Sequence, residues 1–149
     1  MKKLSTTLLM LLLCLTTAVS VAQEKPVAKS RQFATSAAQV DISDAQLQKT
    51  FTAVTGEAIL IELNGLKFSG TVISNTLKYS NLQTILIRDA GTPNTIFQLS
   101  KIIRKDQSIA YSGRIINSTA VDGYELKRSS SGYRLQKFDA GQILQDCAY

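Results

Sequence analysis

Glu57-Ala-Ile-Leu-Ile-Glu-Leu63, then Asn64-Gly65, then Leu66-Lys-Phe-Ser-Gly-Thr-Val-Ile73 carries the clearest structural signal in the chain. Asn-Gly between two apolar runs is the strongest short-range hairpin signal, because a type I′ turn needs φ > 0 at both central residues. Closing the turn at Leu63 and Leu66 sets the register. Ile59, Ile61 and Leu63 then share a face with Leu66, Phe68, Gly70 and Val72, and Glu62 sits opposite Lys67 on the other face. The first face reads as core, so a binding surface is sought on the opposite face or at the sheet edges.

Working outward, β-type runs recur at spacings typical of all-β domains. They are Thr84–Arg88, Thr95–Ser100, Ser108–Ile116, Tyr124–Arg128 and Tyr133–Phe138. Ser74-Asn75 breaks the pattern after the first hairpin, and Ser129–Gly132 closes a second one. With the two strands of the opening hairpin, the count is about seven. Short connections make neighbours antiparallel, as in a meander. Gly70 and Gly113 fall mid-strand, where glycine marks a bulge or tight bend and helps a sheet curl. The expectation is a mainly β fold, a curved antiparallel meander forming a partly closed barrel or roll, with a flat sandwich as the alternative.

Two short helices are predicted. Ser43 and Gln46 make a capping box, Ile42 and Leu47 a hydrophobic staple, and Leu47, Phe51 and Val54 one apolar side. Gly56 can end this helix, which is expected against one opening of the sheet. Asp139 can cap a C-terminal helix that carries Ile143 and Leu144 towards the core.

The chain has 149 residues, enough for one domain. Lys2-Lys3, the apolar run Leu8–Leu15 and Ser20-Val21-Ala22 form a secretory signal over residues 1–22, with cleavage before Gln23 and a cut after Ser20 as the near alternative. Lipidation at Cys14 would need a small preceding residue, and Leu13 stands there. Residues 23–38 are polar and aperiodic and read as a flexible leader; 39–149 read as a single β-rich domain. The expected location is periplasmic or extracellular, with no membrane span after cleavage.

Cleavage removes Lys2, Lys3 and no acid, leaving 15 basic against 11 acidic residues, a net charge of +4. That is too weak to indicate nucleic acid, and no aromatic platform interleaves with the charges. Lys101, Arg104 and Lys105 lie close in sequence, as do Lys127, Arg128, Arg134 and Lys137. They read as solvated strand faces and turns, or as a basic surface for an acidic partner. After cleavage Cys147 is the one remaining cysteine, either a small apolar group against the core or an intermolecular thiol that links a dimer.

With no histidine, Ser-His-Asp, Cys-His and histidine-rich zinc sites are excluded. Calcium loops, P-loops and dinucleotide turns are missing, and no cofactor is implied. The acids are scattered and mostly adjoin turns or helix caps. An enzyme would need two of them facing each other across a cleft. Tyr111, Tyr124 and Tyr133 fall in strands; each is a ring at the sheet edge with its hydroxyl in water, or part of a contact surface together with Lys127 and Arg134.

Phe68-Ser-Gly70, Ile87-Arg88, Phe97-Gln-Leu-Ser100, Tyr111-Ser-Gly-Arg-Ile115, Asp122-Gly-Tyr-Glu-Leu126 and Tyr133-Arg-Leu-Gln-Lys137, in that order, resemble the non-catalytic N-terminal domain of some secreted bacterial metallopeptidases. The resemblance covers residues 57–146 and implies an extracytoplasmic propeptide-like or attachment domain. The chain departs from that pattern: no catalytic domain follows and no zinc motif exists, so no active-site residue carries over. The expected function is therefore non-enzymatic binding to a secreted or periplasmic protein, as a propeptide-like or inhibitor-like module. One alternative is a carrier whose curled sheet encloses an apolar ligand among Tyr111, Ile115, Tyr124, Leu126 and Leu135. Another is an inactive stand-alone remnant of a peptidase prodomain.

Overall fold

The opening hairpin forms with the register its turn dictates. Ile59 lies opposite Gly70, Ile61 opposite Phe68, Glu62 opposite Lys67 and Leu63 opposite Leu66. Gly65 has φ +89°, which a side chain would strain. The computed structural model describes residues 29–63 and 65–139, and this hairpin is the first pair of its meander.

In chain order the elements are β1 (Gln39–Ile42), α1 (Asp44–Thr50), β2 (Ala58–Leu63), β3 (Leu66–Tyr79), β4 (Leu82–Asp89), β5 (Thr95–Ile103), β6 (Ile109–Asn117), β7 (Asp122–Ser129) and β8 (Gly132–Asp139). The eight strands form one antiparallel sheet in the order β1-β8-β7-β6-β5-β4-β3-β2. It curls until its two edges, β1 and β2, come within 8 Å at their Cα atoms. The result is a half-barrel with one seam. Turns β3–β4, β5–β6 and β7–β8 lie at its upper end; turns β2–β3, β4–β5 and β6–β7 lie at its lower end.

Close backbone approach allows the curl. A Cβ on Gly70 would stand 2.3 Å from the Arg88 carbonyl oxygen, and one on Gly113 would stand 2.5 Å from that of Gln98. The irregularities themselves sit elsewhere, between Val72 and Ser74 and between Leu77 and Tyr79, where β3 shifts register against β4. Gly113 lies in an unbroken ladder with β5. On that side its role is close contact, while on the other side the ladder with β7 runs only over Arg114 and Ile115.

Alternation along the strands puts Val40, Ile42, Ile61, Phe68, Val72, Ile85, Ile87, Phe97, Leu99, Ile115, Leu126 and Leu135 inside, in one cluster with the three strand tyrosines. Both ends of the half-barrel are closed. At the upper end, α1 begins with the predicted capping box: the Gln46 N–H donates to Ser43 Oγ, and the Ser43 N–H donates to Gln46 Oε1. Leu47 and Phe51 enter the core. Phe51 stacks on Tyr111 with ring centroids 5.8 Å apart, and the Asn75 and Gln83 side-chain amides donate to its carbonyl.

The lower end is closed by residues 29–38. Phe33 is buried and packs edge-on to Tyr124 at 5.1 Å. The buried Asp122 carboxylate accepts the backbone N–H of Gln32 at 2.7 Å and of Phe33 at 2.9 Å. Tyr124 donates its hydroxyl to the Ala37 carbonyl at 2.6 Å, and Lys137 donates to that of Ser36 at 2.7 Å.

Several expectations are corrected. There are eight strands where about seven were expected, because Val40 and Ile42 make a four-residue edge strand on β8 too short to show a period. Ser74-Asn75 does not end a strand; β3 continues through a bulge to Tyr79. The helix ends at Thr50, before Gly56, so Val54 falls in a turn and is exposed. The described part of the predicted flexible leader, from Lys29 onward, is docked. The signal segment, Cys14, residues 23–28, the C-terminal helix with Ile143 and Leu144, and Cys147 lie outside the described residues.

Candidate functional site

The three strand tyrosines do not form a contact surface. Tyr111, Tyr124 and Tyr133 are 8%, 0% and 5% exposed. Each faces inward because it shares its strand's apolar alternation. Two of the hydroxyls are used internally: Tyr124 holds Ala37, and the Tyr133 hydroxyl accepts the backbone N–H of Tyr111 at 3.0 Å. That bond replaces a ladder bond, since β6 and β7 pair only at Arg114–Glu125 and Ile115–Tyr124. Burial pushes the Tyr111 and Tyr124 phenols above their ordinary value. Neither expected position, at the sheet edge or at an interface, describes them. Tyr111, Ile115, Tyr124, Leu126 and Leu135, the residues expected to line a ligand cavity, pack in the same core cluster.

Lys127 and Arg134 are cross-strand neighbours on the outer face. Two like charges there would repel, and each is balanced by an acid on its far side. Lys127 pairs with Glu125, which also takes Arg114 at 2.8 Å, and Arg134 pairs with Asp41 at 2.6 Å. Lys127 and then Arg114 hold the Glu125 carboxyl below its usual value, while Asp41 raises Arg134. This is a charge ladder across four strands. Other described acids also have local work. Asp89 accepts the Thr92 N–H, Asp106 accepts both Ser108 donors, Glu57 accepts the Val54 N–H and Asp139 pairs with Arg31. Among the described residues no three His, Cys, Asp or Glu side chains group as a metal site, and no helix is long and apolar enough to cross a membrane.

A surface with unmet bonding capacity lies at the seam. The Val72 N–H donates to the Glu57 carbonyl, and the Gln46 side-chain amide donates to the Glu62 carbonyl from the opposite side. Backbone groups alternate along a strand, so Ala58, Leu60 and Glu62 direct theirs away from β3. Ala58 and Leu60 meet no backbone partner there among the described residues. Beside this edge runs a groove of about 590 Å³ whose far wall is α1 and the turn after it, with Gln46, Lys49, Thr50, Thr52 and Ala53. Leu60 is 53% exposed. The apolar pattern marked Ile59 and Ile61 as core but could not show that β2 would be left at an edge. Edge status depends on the far strands of the sheet.

No family model matches the chain, and neither the curated proteins nor the solved structures contain a significant match.

Proposed function

We propose that this chain is an exported, non-enzymatic β-domain that works by binding a segment of a secreted or periplasmic protein. The observation that carries this reading is the unpaired edge of β2 beside the α1 groove. A bare strand edge offers alternating N–H and C=O groups, and the ligand that matches them is an extended backbone. The groove gives that backbone a helix as its second wall, and the exposed Leu60 gives it an apolar contact. A propeptide-like or inhibitor-like role is one form such binding takes, and the resemblance of residues 57–146 to peptidase N-terminal domains supports it. The residues expected to line a carrier's cavity belong to the core cluster, and that alternative has no specific observation in its favour.

The test is a pull-down from periplasm and culture medium with the wild-type chain and with Leu60→Pro, which removes the Leu60 N–H and blocks strand addition. A specific protein retained by the wild type and lost from a folded Leu60→Pro chain is the expected result. A protein retained equally by both places binding elsewhere, and no protein above background counts against the reading itself.

A further inference from the structure

The upper end carries a second surface, independent of the groove. Hairpin tips β3–β4 and β5–β6 are joined there. The Ile103 N–H donates to the Asn81 carbonyl at 2.9 Å, and the Asn81 side-chain amide donates to the Ile103 carbonyl at 3.4 Å. The β5–β6 turn is braced within itself, since Arg104 N–H donates to Ser108 O and Gln107 N–H to Arg104 O. The two tips therefore form one joined end of the sheet, a platform on which Leu77 and Tyr79 project from opposite faces of their hairpin because the register slips between them.

That platform combines exposed apolar groups with unpaired cations. Leu77 is 66% exposed, Tyr79 70% and Ile109 43%. Lys78, Arg104 and Lys105 are exposed around them. Lys101, on the same end of β5, holds its ammonium 5.6 Å above the Phe51 ring. None of these four cations joins an ion pair among the described residues. The carboxylate on the two tips is that of Asp106, which accepts two hydrogen bonds from Ser108 and also feels the charge of Arg104, so Lys78, Lys101 and Lys105 are the cations without a nearby acid on the tips. Elsewhere Lys127, Arg134, Arg114 and Lys67 have acid partners, whereas the exposed Lys49, Arg88 and Arg128 join no ion pair among the described residues. What sets the upper tips apart is the coincidence of such cations with exposed apolar side chains.

We propose that this platform docks the protein on an anionic phospholipid surface. Charge complementarity requires an anionic partner, and the shape selects a soft one. Leu77 and Tyr79 stand out into solvent beside the β3–β4 turn, so a rigid protein would need a matching cavity while a headgroup layer needs none. Tyrosine and leucine enter the interfacial layer, and lysine and arginine stay with the headgroups. Each cation near such a surface strengthens binding about fivefold, and salt screens the effect.

The experiment is co-sedimentation of the purified chain with vesicles of mixed phosphatidylglycerol and phosphatidylcholine, against phosphatidylcholine alone, at low and high salt. The proposal expects binding to the anionic vesicles only, weakened by salt. Tyr79→Ser with Lys105→Gln should lower it by about tenfold or more, while Lys67→Gln at the lower end leaves it unchanged. All variants should keep the wild-type circular dichroism and melting temperature. The chain lacks tryptophan, so Tyr79→Trp supplies a single indole, excited selectively on the red side of tyrosine absorption, whose emission should shift to the blue when anionic vesicles are added. Equal binding to both vesicle types, a folded double variant that binds normally or an unshifted Trp emission would overturn the proposal. Retention on polyglutamate without vesicle binding would also overturn it, in favour of an acidic protein.

Discussion

The two ends of the half-barrel are built from the same materials and use them in opposite ways. At the lower end charge and ring are turned inward: Asp122 holds two backbone donors, Phe33 covers Tyr124, and Lys137 and the Tyr124 hydroxyl tie down residues 34–37. At the upper end the helix fills the opening through Leu47 and Phe51, so the hairpin tips are free of any closing role. They carry Leu77, Tyr79, Lys78 and Lys105 into solvent. Surface that stability does not require is surface available for binding, and in this molecule it lies at the helix end and along the neighbouring β2 edge.

Mutations at the two ends should therefore differ in kind. The largest loss is expected from Asp122→Ala. It leaves two buried N–H donors without a charged acceptor, and should cost about 2–4 kcal/mol in urea unfolding. It should also expose residues 29–38 to limited proteolysis. A smaller loss, about 1–3 kcal/mol, is expected for Gly65→Val. Its φ of +89° disfavours a branched residue, and a Cβ there already meets Ala37 Cβ at 3.1 Å. A stable Gly65→Val chain would show that the lower end is less constrained than its contacts indicate.

Tyr124→Phe should cost about 0.5–1.5 kcal/mol, the worth of its bond to the Ala37 carbonyl. The same residue sets an alkaline limit. Burial raises the Tyr124 and Tyr111 phenols above 10.0, so above that value the unfolded chain releases protons that the folded chain retains. Their contribution to stability is complete below pH 10.0 and is lost as the pH rises further. Absorbance of the phenolate should show these two groups titrating late in the folded protein and at the ordinary value in urea. The smallest effect on stability belongs to the upper end: Leu77→Ser and Tyr79→Ser should each stay within about 0.5 kcal/mol of wild type by thermal melting. If Tyr79→Ser destabilised the protein as much as Asp122→Ala, the contrast between the ends would fail.

Local signals were legible where the physics is local. The register of the hairpin closed at Leu63 and Leu66 and the Ser43/Gln46 capping box depend on a few neighbouring residues and formed as read; the second hairpin also formed, but with Ser129 and Gly132 paired in the strands rather than in its loop. Val54 was misplaced because helical spacing continued past the point where the helix stops. β1 was missed because four residues show too little alternation. Residues 32 and 33 read as leader because their partner, Asp122, lies about ninety positions away. The tyrosines looked available because a polar tip suggests water; long-range contacts give two of those tips protein partners.

Period-two alternation punctuated by turn residues was enough to assign a mainly β fold of antiparallel neighbours, with a curled meander or a sandwich as its forms, and composition removed histidine-dependent chemistry. Which strands became edges, how each end was closed and which cations lacked an acid partner emerged in the folded molecule. Those properties depend on groups far apart in the chain arriving together, and no local pattern records where a curled sheet will bring its two ends.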